Sequence, residues 1–174
     1  MDSRKARTVD VDIPPVGIDH ERQMNRPVYC GIDPGREKFG FAVGGADILR
    51  FAAIIPFENM LDALECLLGG DPRGIASWRT EGECESFGAV SRVFIGNGTG
   101  HERYADIFRD SGVETEITDE RMTTLEARDL YWRLHPRKGL RRLLPRSLLT
   151  PPRPVDDLAA WIIMRRTLAS MPSI

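Results

Sequence analysis

Short apolar runs separated by turn residues predict strands in the first part of the chain. After Pro27, apolar and β-branched residues form three runs, at 28–32, 39–44 and 48–55, with glycine-rich turns between them. Runs of this length and composition are typical of strands. Because the connections are short, the three runs predict an antiparallel meander.

Helical and strand patterns follow each other through the rest of the chain. Leucines recur at three- and four-residue spacing over 57–68, which predicts a helix that ends at Gly69-Gly70. Residues 71–90 are irregular and acidic and are interpreted as a surface insertion. Further elements are predicted as strands over 93–95 and 113–118, helices over 101–109 and 123–134, and a last helix from 155. This order predicts an α/β domain with a mixed central sheet flanked by helices.

The last helix has the clearest period in the chain. Its apolar residues recur at three and four and predict one buried face. These residues are Val155, Leu158, Ala159, Ile162 and Ile163. At about 100° per residue, Asp156 falls beside this face and Asp157 is expected to point to solvent.

Composition and length set the class of protein. The chain has 174 residues, 41% of them hydrophobic and 29% charged, which is typical of a soluble domain with a real core. We expect a flexible N-terminal tail over 1–26 and a single domain over 27–174. No apolar run reaches the roughly 20 residues that cross a bilayer, and the polar N-terminus does not resemble a secretory signal. Three scattered cysteines without a CxxC pair argue against a disulfide framework, so a cytoplasmic protein without a membrane partner is expected.

Acidic residues follow the ends of separate predicted elements. Asp33 ends the first strand, Asp119 and Glu120 follow the strand over 113–118, and Asp156 begins the last helix. Convergent carboxylates of this kind bind two divalent ions in phosphodiester hydrolases, and oxygen ligands select Mg²⁺ or Mn²⁺. Each acid also has a structural interpretation, as a turn former or as a favourable charge at a helix N-terminus.

A glycine-rich loop follows the strand over 93–95. Residues 96–100 read Gly-Asn-Gly-Thr-Gly and precede a predicted helix. Such a loop is typical of a phosphate-binding turn, although a flexible loop has the same composition.

Three segments together resemble one protein family. Residues 31–35 read GIDPG, residues 119–127 read DERMTTLEA, and residues 155–160 read VDDLAA. In this order and spacing they are similar to the YqgF (RuvX-like) family, which is described as Holliday-junction resolvases or as nucleases that mature pre-16S rRNA. The resemblance covers about residues 27–170.

The resemblance implies an RNase H-like (RuvC-like) fold and a metal site. By position, Asp33, Glu120 and Asp156 would be catalytic metal ligands, with Asp119 beside them. Two features depart from the family. The 96–100 loop is more like that of Tex-type transcription accessory proteins, and Ala159 stands where RuvC-like enzymes carry a further acid.

Charge along the chain is segregated. The sums of 24 Lys+Arg and 26 Asp+Glu give a net charge of −2, which excludes a strongly basic coat protein. Residues 130–155, here called the basic window, nevertheless contain no acid. Basic side chains contact phosphates without regard to sequence, so the basic window predicts a nucleic-acid-binding surface. Its candidate binding residues are Arg133, Arg137, Lys138, Arg141, Arg142 and Arg146.

These observations lead to three hypotheses. The first is an Mg²⁺- or Mn²⁺-dependent endonuclease acting on structured RNA or branched DNA. The second is a nucleic-acid-binding module without catalysis. The third is an actin-like ATPase, for which 174 residues are too few to form two lobes. Resolution of a symmetric junction would further imply a homodimer.

Overall fold

The chain folds around a six-stranded mixed sheet with helices on both faces. The structure is a computed structural model and describes residues 27–83, 86–119, 121, 123–136 and 149–171. The strands are β1 (Val28–Asp33), β2 (Lys38–Gly44), β3 (Leu49–Pro56), β4 (Arg79–Gly82), β5 (Val90–Gly96) and β6 (Thr115–Thr118). The helices are α1 (Met60–Gly69), α2 (His101–Asp110), α3 (Thr123–Leu134) and α4 (Asp156–Ser170), with 3-10 turns at Phe57–Asn59 and Pro72–Trp78. The predicted α/β class and mixed sheet are confirmed.

The strand order is β4-β3-β2-β1-β5-β6. The first three strands form the predicted antiparallel meander, while β5 and β6 run parallel to β1. Carboxyl ends of parallel strands lie at one edge of a sheet, where α/β proteins commonly bind ligands. The residues after β1, β5 and β6 therefore lie at a common edge.

Alternation along the strands divides the core between the two faces. In β1, Cys30 and Ile32 are fully buried in the cluster that α1 and α2 cover. The opposite face, which includes Phe94 of β5, packs against α3 and α4. Strands β1, β2, β3 and β5 thus supply residues to both layers, as a three-layer α/β architecture requires.

Helix α4 lies against the centre of the sheet because two glycines leave room for it. A Cβ on Gly31 would lie 2.0 Å from the carbonyl oxygen of Ala160, and one on Gly40 would lie 1.9 Å from that of Asp156. Real Cβ atoms do not approach backbone atoms so closely. The glycine positions of β1 and β2 therefore set the distance and position of α4.

The segment over 71–90 is more ordered than its sequence predicts. Its described residues form a 3-10 turn and the edge strand β4, and both Ile75 and Phe87 are buried. Strand β4 pairs with β3 and extends the sheet. The interpretation as an irregular surface insertion was wrong because its few apolar residues are spaced too widely to show a period.

The expectation that Asp157 faces solvent was also wrong. Its side chain is 0% exposed, and the Thr80 hydroxyl donates to its Oδ2 at 2.6 Å. The predicted apolar face of α4 is buried, but so are Asp157 and Trp161. Asp157 is covered by β4 and by the segment before α4, and the Trp161 indole donates to the Gly45 carbonyl oxygen at 3.1 Å. A single-helix pattern cannot reveal this second covering layer.

Two further properties concern the described residues alone. Within these ranges, each helix is too short or too polar to cross a bilayer. Cys30 and Cys66 are free and buried, and burial raises the pKa of both thiols. The predicted tail over 1–26 and Cys84 lie outside the described residues.

Candidate functional site

The backbone register brings Asp33 and the start of α4 together. Asp33 is the last residue of β1 and lies opposite Gly40 in the antiparallel ladder. Directly opposed residues present their side chains on the same face, and the Cβ direction of Gly40 points at the Asp156 backbone. Asp33 therefore presents its side chain on the face of the sheet where α4 begins. Two of the four predicted metal ligands, Asp33 and Asp156, therefore lie on the same face at this edge of the sheet.

Asp156 forms an ion pair that the sequence analysis missed. The Lys38 ammonium donates to Asp156 Oδ2 at 2.6 Å, and the two side chains are 46% and 34% exposed. Lys38 lies two positions before Gly40 in β2, so strand alternation places it on the same face. This spacing was the signal available in the sequence. Asp156 is also in the first turn of α4, where a negative charge is favourable.

The turn that follows Asp33 is held by donors from α2. Tyr104 Oη donates to the carbonyl oxygen of Gly35 at 2.6 Å, and Arg103 Nη2 donates to the same oxygen at 2.6 Å. The Arg103 guanidinium also lies 3.6 Å from the centroid of the Phe57 ring. Burial raises the pKa of the Tyr104 phenol, and the charge of Asp33 adds to this effect. The backbone next to Asp33 is thus fixed from the opposite face of the sheet.

Asp119 and Glu120 follow β6, two strands away from β1. Asp119 Oδ1 accepts the backbone N–H of Arg121 at 3.1 Å, and its Oδ2 lies 3.5 Å from Arg121 Nε. The Asp119 carboxylate is exposed and turned toward its own loop. Glu120 lies outside the described residues. Among the side chains that the structure describes, no three acidic, histidine or cysteine groups converge to hold a metal ion.

The glycine-rich loop over 96–100 lies at the same edge of the sheet. Asn97 donates its backbone N–H to the Thr118 carbonyl at 2.9 Å, and His101 Nδ1 lies 2.9 Å from the Gly98 carbonyl oxygen. Gly100 has a φ of 82° and precedes α2 directly. The loop therefore closes on its own backbone and on the end of β6.

One predicted phosphate contact, Arg133, lies among the described residues. It is on the exposed side of α3 and pairs with Asp129 at 3.2 Å. This intrahelical pair is on the surface, where its contribution to stability is small. The remaining candidates lie outside the described residues: Arg137, Lys138, Arg141, Arg142 and Arg146.

Sequence comparisons give no relative for this chain. No protein-family model matches the sequence, and no curated protein matches it at a significant level. The residues at the carboxyl edge of the sheet are therefore the basis of the functional proposal.

Proposed function

We propose that this chain is a metal-dependent endonuclease of RNase H-like fold that hydrolyses phosphodiester bonds in structured RNA or branched DNA. The observation that carries the proposal is the register of β1 and β2, which brings Asp33 and Asp156 to one face and one edge of the sheet. A mixed α/β sheet flanked by helices is also the architecture that the family resemblance implies. Pre-rRNA processing and Holliday-junction resolution are the two activities that this resemblance suggests.

The donor atoms at this edge fit a hard divalent cation. The carboxylates of Asp33 and Asp156 offer the oxygen ligands that Mg²⁺ and Mn²⁺ prefer, and Glu120 is the third ligand in this proposal. When bound, such ions activate a water molecule and stabilise the leaving oxygen of the phosphodiester. Lys38 offsets part of the carboxylate charge, and Arg103 and Tyr104 fix the turn that carries Asp33.

Binding of the nucleic acid is assigned to the basic window. Its arginines lie between the two acidic motifs in the sequence, and its last arginine, Arg153, lies within four residues of Asp157. Arginine forms paired hydrogen bonds with phosphate oxygens. We therefore assign backbone recognition to the six candidate residues Arg133, Arg137, Lys138, Arg141, Arg142 and Arg146.

Cleavage assays test the catalytic proposal. Full-length protein is incubated with a four-way DNA junction and with a pre-16S rRNA fragment, in Mg²⁺, in Mn²⁺ and in EDTA. Asp33→Asn and Asp156→Asn are expected to lower the rate by about 100-fold or more, since each removes a metal ligand. Asp106→Asn, at an exposed position of α2, is the matched control. Equal rates for Asp33→Asn and the wild type would refute the proposal.

A second candidate is a nucleic-acid-binding module without catalysis. The specific observation in its favour is the ion pair of Lys38 with Asp156, which compensates this carboxylate from within the chain. In that case binding is salt-dependent, insensitive to Mg²⁺ and unchanged by Asp156→Asn. A calorimetric titration that detects Mn²⁺ binding in the wild type but not in Asp33→Asn would exclude the module.

A further inference from the structure

A partly buried ionic cluster joins β4 to the start of α4. The Arg153 guanidinium donates from Nη2 to Glu81 Oε1 at 2.6 Å and from Nη1 to Asp157 Oδ1 at 2.8 Å. The Glu81 side chain is 16% exposed and that of Asp157 is 0% exposed. One arginine thus bridges two acids from two separate elements.

Two neighbours complete the hydrogen bonding of these acids. Thr80, beside Glu81 in β4, donates to Asp157 Oδ2 at 2.6 Å, and His135 Nε2 lies 2.6 Å from Glu81 Oε1. The Arg153 guanidinium also lies 5.3 Å from the centroid of the Tyr131 ring. We call Thr80, Glu81, His135, Arg153 and Asp157 the Arg153 cluster.

Burial and hydrogen bonding shift the pKa of Arg153 in opposite directions. Burial disfavours its charge, but the hydrogen bonds and charges of Asp157 and Glu81 outweigh burial and raise the pKa of Arg153. A buried ion network of this kind adds little stability over apolar residues of the same volume. What it does provide is a fixed geometry, because each charged group has defined partners.

Two residues of the Arg153 cluster flank part of the basic window in the sequence, and a third is next to a candidate metal ligand. His135 and Arg153 bound residues 136–152 of the basic window, and Asp157 directly follows the candidate ligand Asp156. His135 and Arg153 both contact Glu81, which belongs to the segment over 71–90.

We infer that β4 is a positioning element, which through Glu81 and Thr80 fixes His135, Arg153 and the start of α4 relative to one another. This inference rests on the proposed function, because it gives β4 the task of holding these two residues of the basic window near the start of α4, where the candidate ligand Asp156 lies. Glu81 and Asp157 are positioning residues and do not contact the substrate.

Equilibrium binding tests the inference. Full-length protein is titrated in EDTA against a fluorescent four-way DNA junction and an RNA stem-loop over a range of salt concentrations. Glu81→Gln and Asp157→Asn are expected to weaken binding about tenfold, because Arg153, and in Glu81→Gln also His135, loses a fixed partner and must be ordered when nucleic acid binds. The slope of log Kd against log salt stays unchanged, since the arginines remain. Arg141→Ala reduces that slope by about one phosphate contact.

Two controls separate positioning from loss of stability. Leu67→Ala, in the core on the other face of the sheet, lowers the melting temperature and leaves Kd unchanged. Glu114→Gln removes an exposed acid that pairs with Arg92 at the far edge of the sheet and also leaves Kd unchanged. Binding by Glu81→Gln and Asp157→Asn with wild-type affinity would overturn the inference.

Limited trypsin digestion gives a result that does not depend on nucleic acid. Loss of Glu81 is expected to increase the rate of cleavage between His135 and Arg153 several-fold under native conditions, relative to Leu67→Ala. An unchanged rate would overturn the inference even if the wild type binds nucleic acid. A wild type that binds neither ligand, together with faster digestion of Glu81→Gln, would refute the proposed function and keep the positioning role of β4.

Discussion

The backbone of Gly40 touches that of Asp156, since a Cβ on Gly40 would lie 1.9 Å from the Asp156 carbonyl oxygen. Gly40 is also the ladder partner of Asp33. Gly40 therefore lies next to both the end of β1 and the start of α4. The geometry of the candidate site depends on the absence of a side chain at Gly40.

Gly40→Ala is expected to displace α4 and destabilise the fold. Overpacking against a backbone that cannot move freely costs about 1–3 kcal/mol or more. Gly69→Ala is the control, because a Cβ there meets nothing within 4 Å. Chemical denaturation measures the free energy of unfolding of both variants. Gly69→Ala should be neutral or stabilising by up to about 1 kcal/mol. Equal free energies of unfolding for the two variants would contradict the close approach.

Lys38→Met is expected to increase the affinity of the site for Mn²⁺. A divalent ion that binds Asp156 must displace the Lys38 ammonium, which lies 2.6 Å from its Oδ2. Removing this competing charge favours the metal by about 1 kcal/mol or less at such an exposed pair, or up to about fivefold in Kd. Titration calorimetry measures the Kd for Mn²⁺ of Lys38→Met and of the control Lys38→Arg, which keeps the positive charge. Weaker Mn²⁺ binding by Lys38→Met would show that the lysine supports the metal site.

Local sequence patterns predicted much of this fold, but they did not predict the partners of several charged residues. The turn at Asp33 and the end of α1 at Gly70, which has a φ of 66°, follow from residue types at single positions. Lys38, Glu81 and Arg153 acquire their partners from distant parts of the chain. Glu81 and Arg153 are 72 residues apart, and no period in the sequence brings them together. The candidate acids could be found because they lie at strand ends or at the start of a helix, whereas their ion pairs depend on tertiary packing.

Replacing Asp157 should destabilise the protein far more than replacing its neighbour Asp156. Asp157→Ala leaves Arg153 and Thr80, which are both partly buried, without one of their partners. Breaking a fully buried ion pair costs roughly 3–5 kcal/mol, which is the upper limit for this change. Asp156→Ala removes a partly exposed pair worth about 0–1 kcal/mol. Thermal or urea denaturation of both variants measures the difference. The reverse order would mean that Asp157 faces solvent, as the helical period alone predicts.

The hydrogen bond from Tyr104 to Gly35 gives the fold a dependence on alkaline pH. Burial holds the pKa of the Tyr104 phenol above its ordinary value, so the folded state binds this proton more tightly than the unfolded state. Its contribution is therefore complete at neutral pH and is lost as the pH rises through about 10 and beyond. Tyr104→Phe removes the hydrogen bond to Gly35 and should lower the free energy of unfolding by about 1 kcal/mol at pH 7. The difference between Tyr104→Phe and the wild type should then shrink above pH 10 in urea denaturation. A difference that stays constant to the highest pH at which the protein folds would mean that Tyr104 titrates alike in both states.

Because Gly35 follows Asp33 by two residues, Tyr104→Phe should also slow cleavage more than it weakens nucleic-acid binding. This is the result expected for a residue that holds the Asp33 turn and does not touch the substrate.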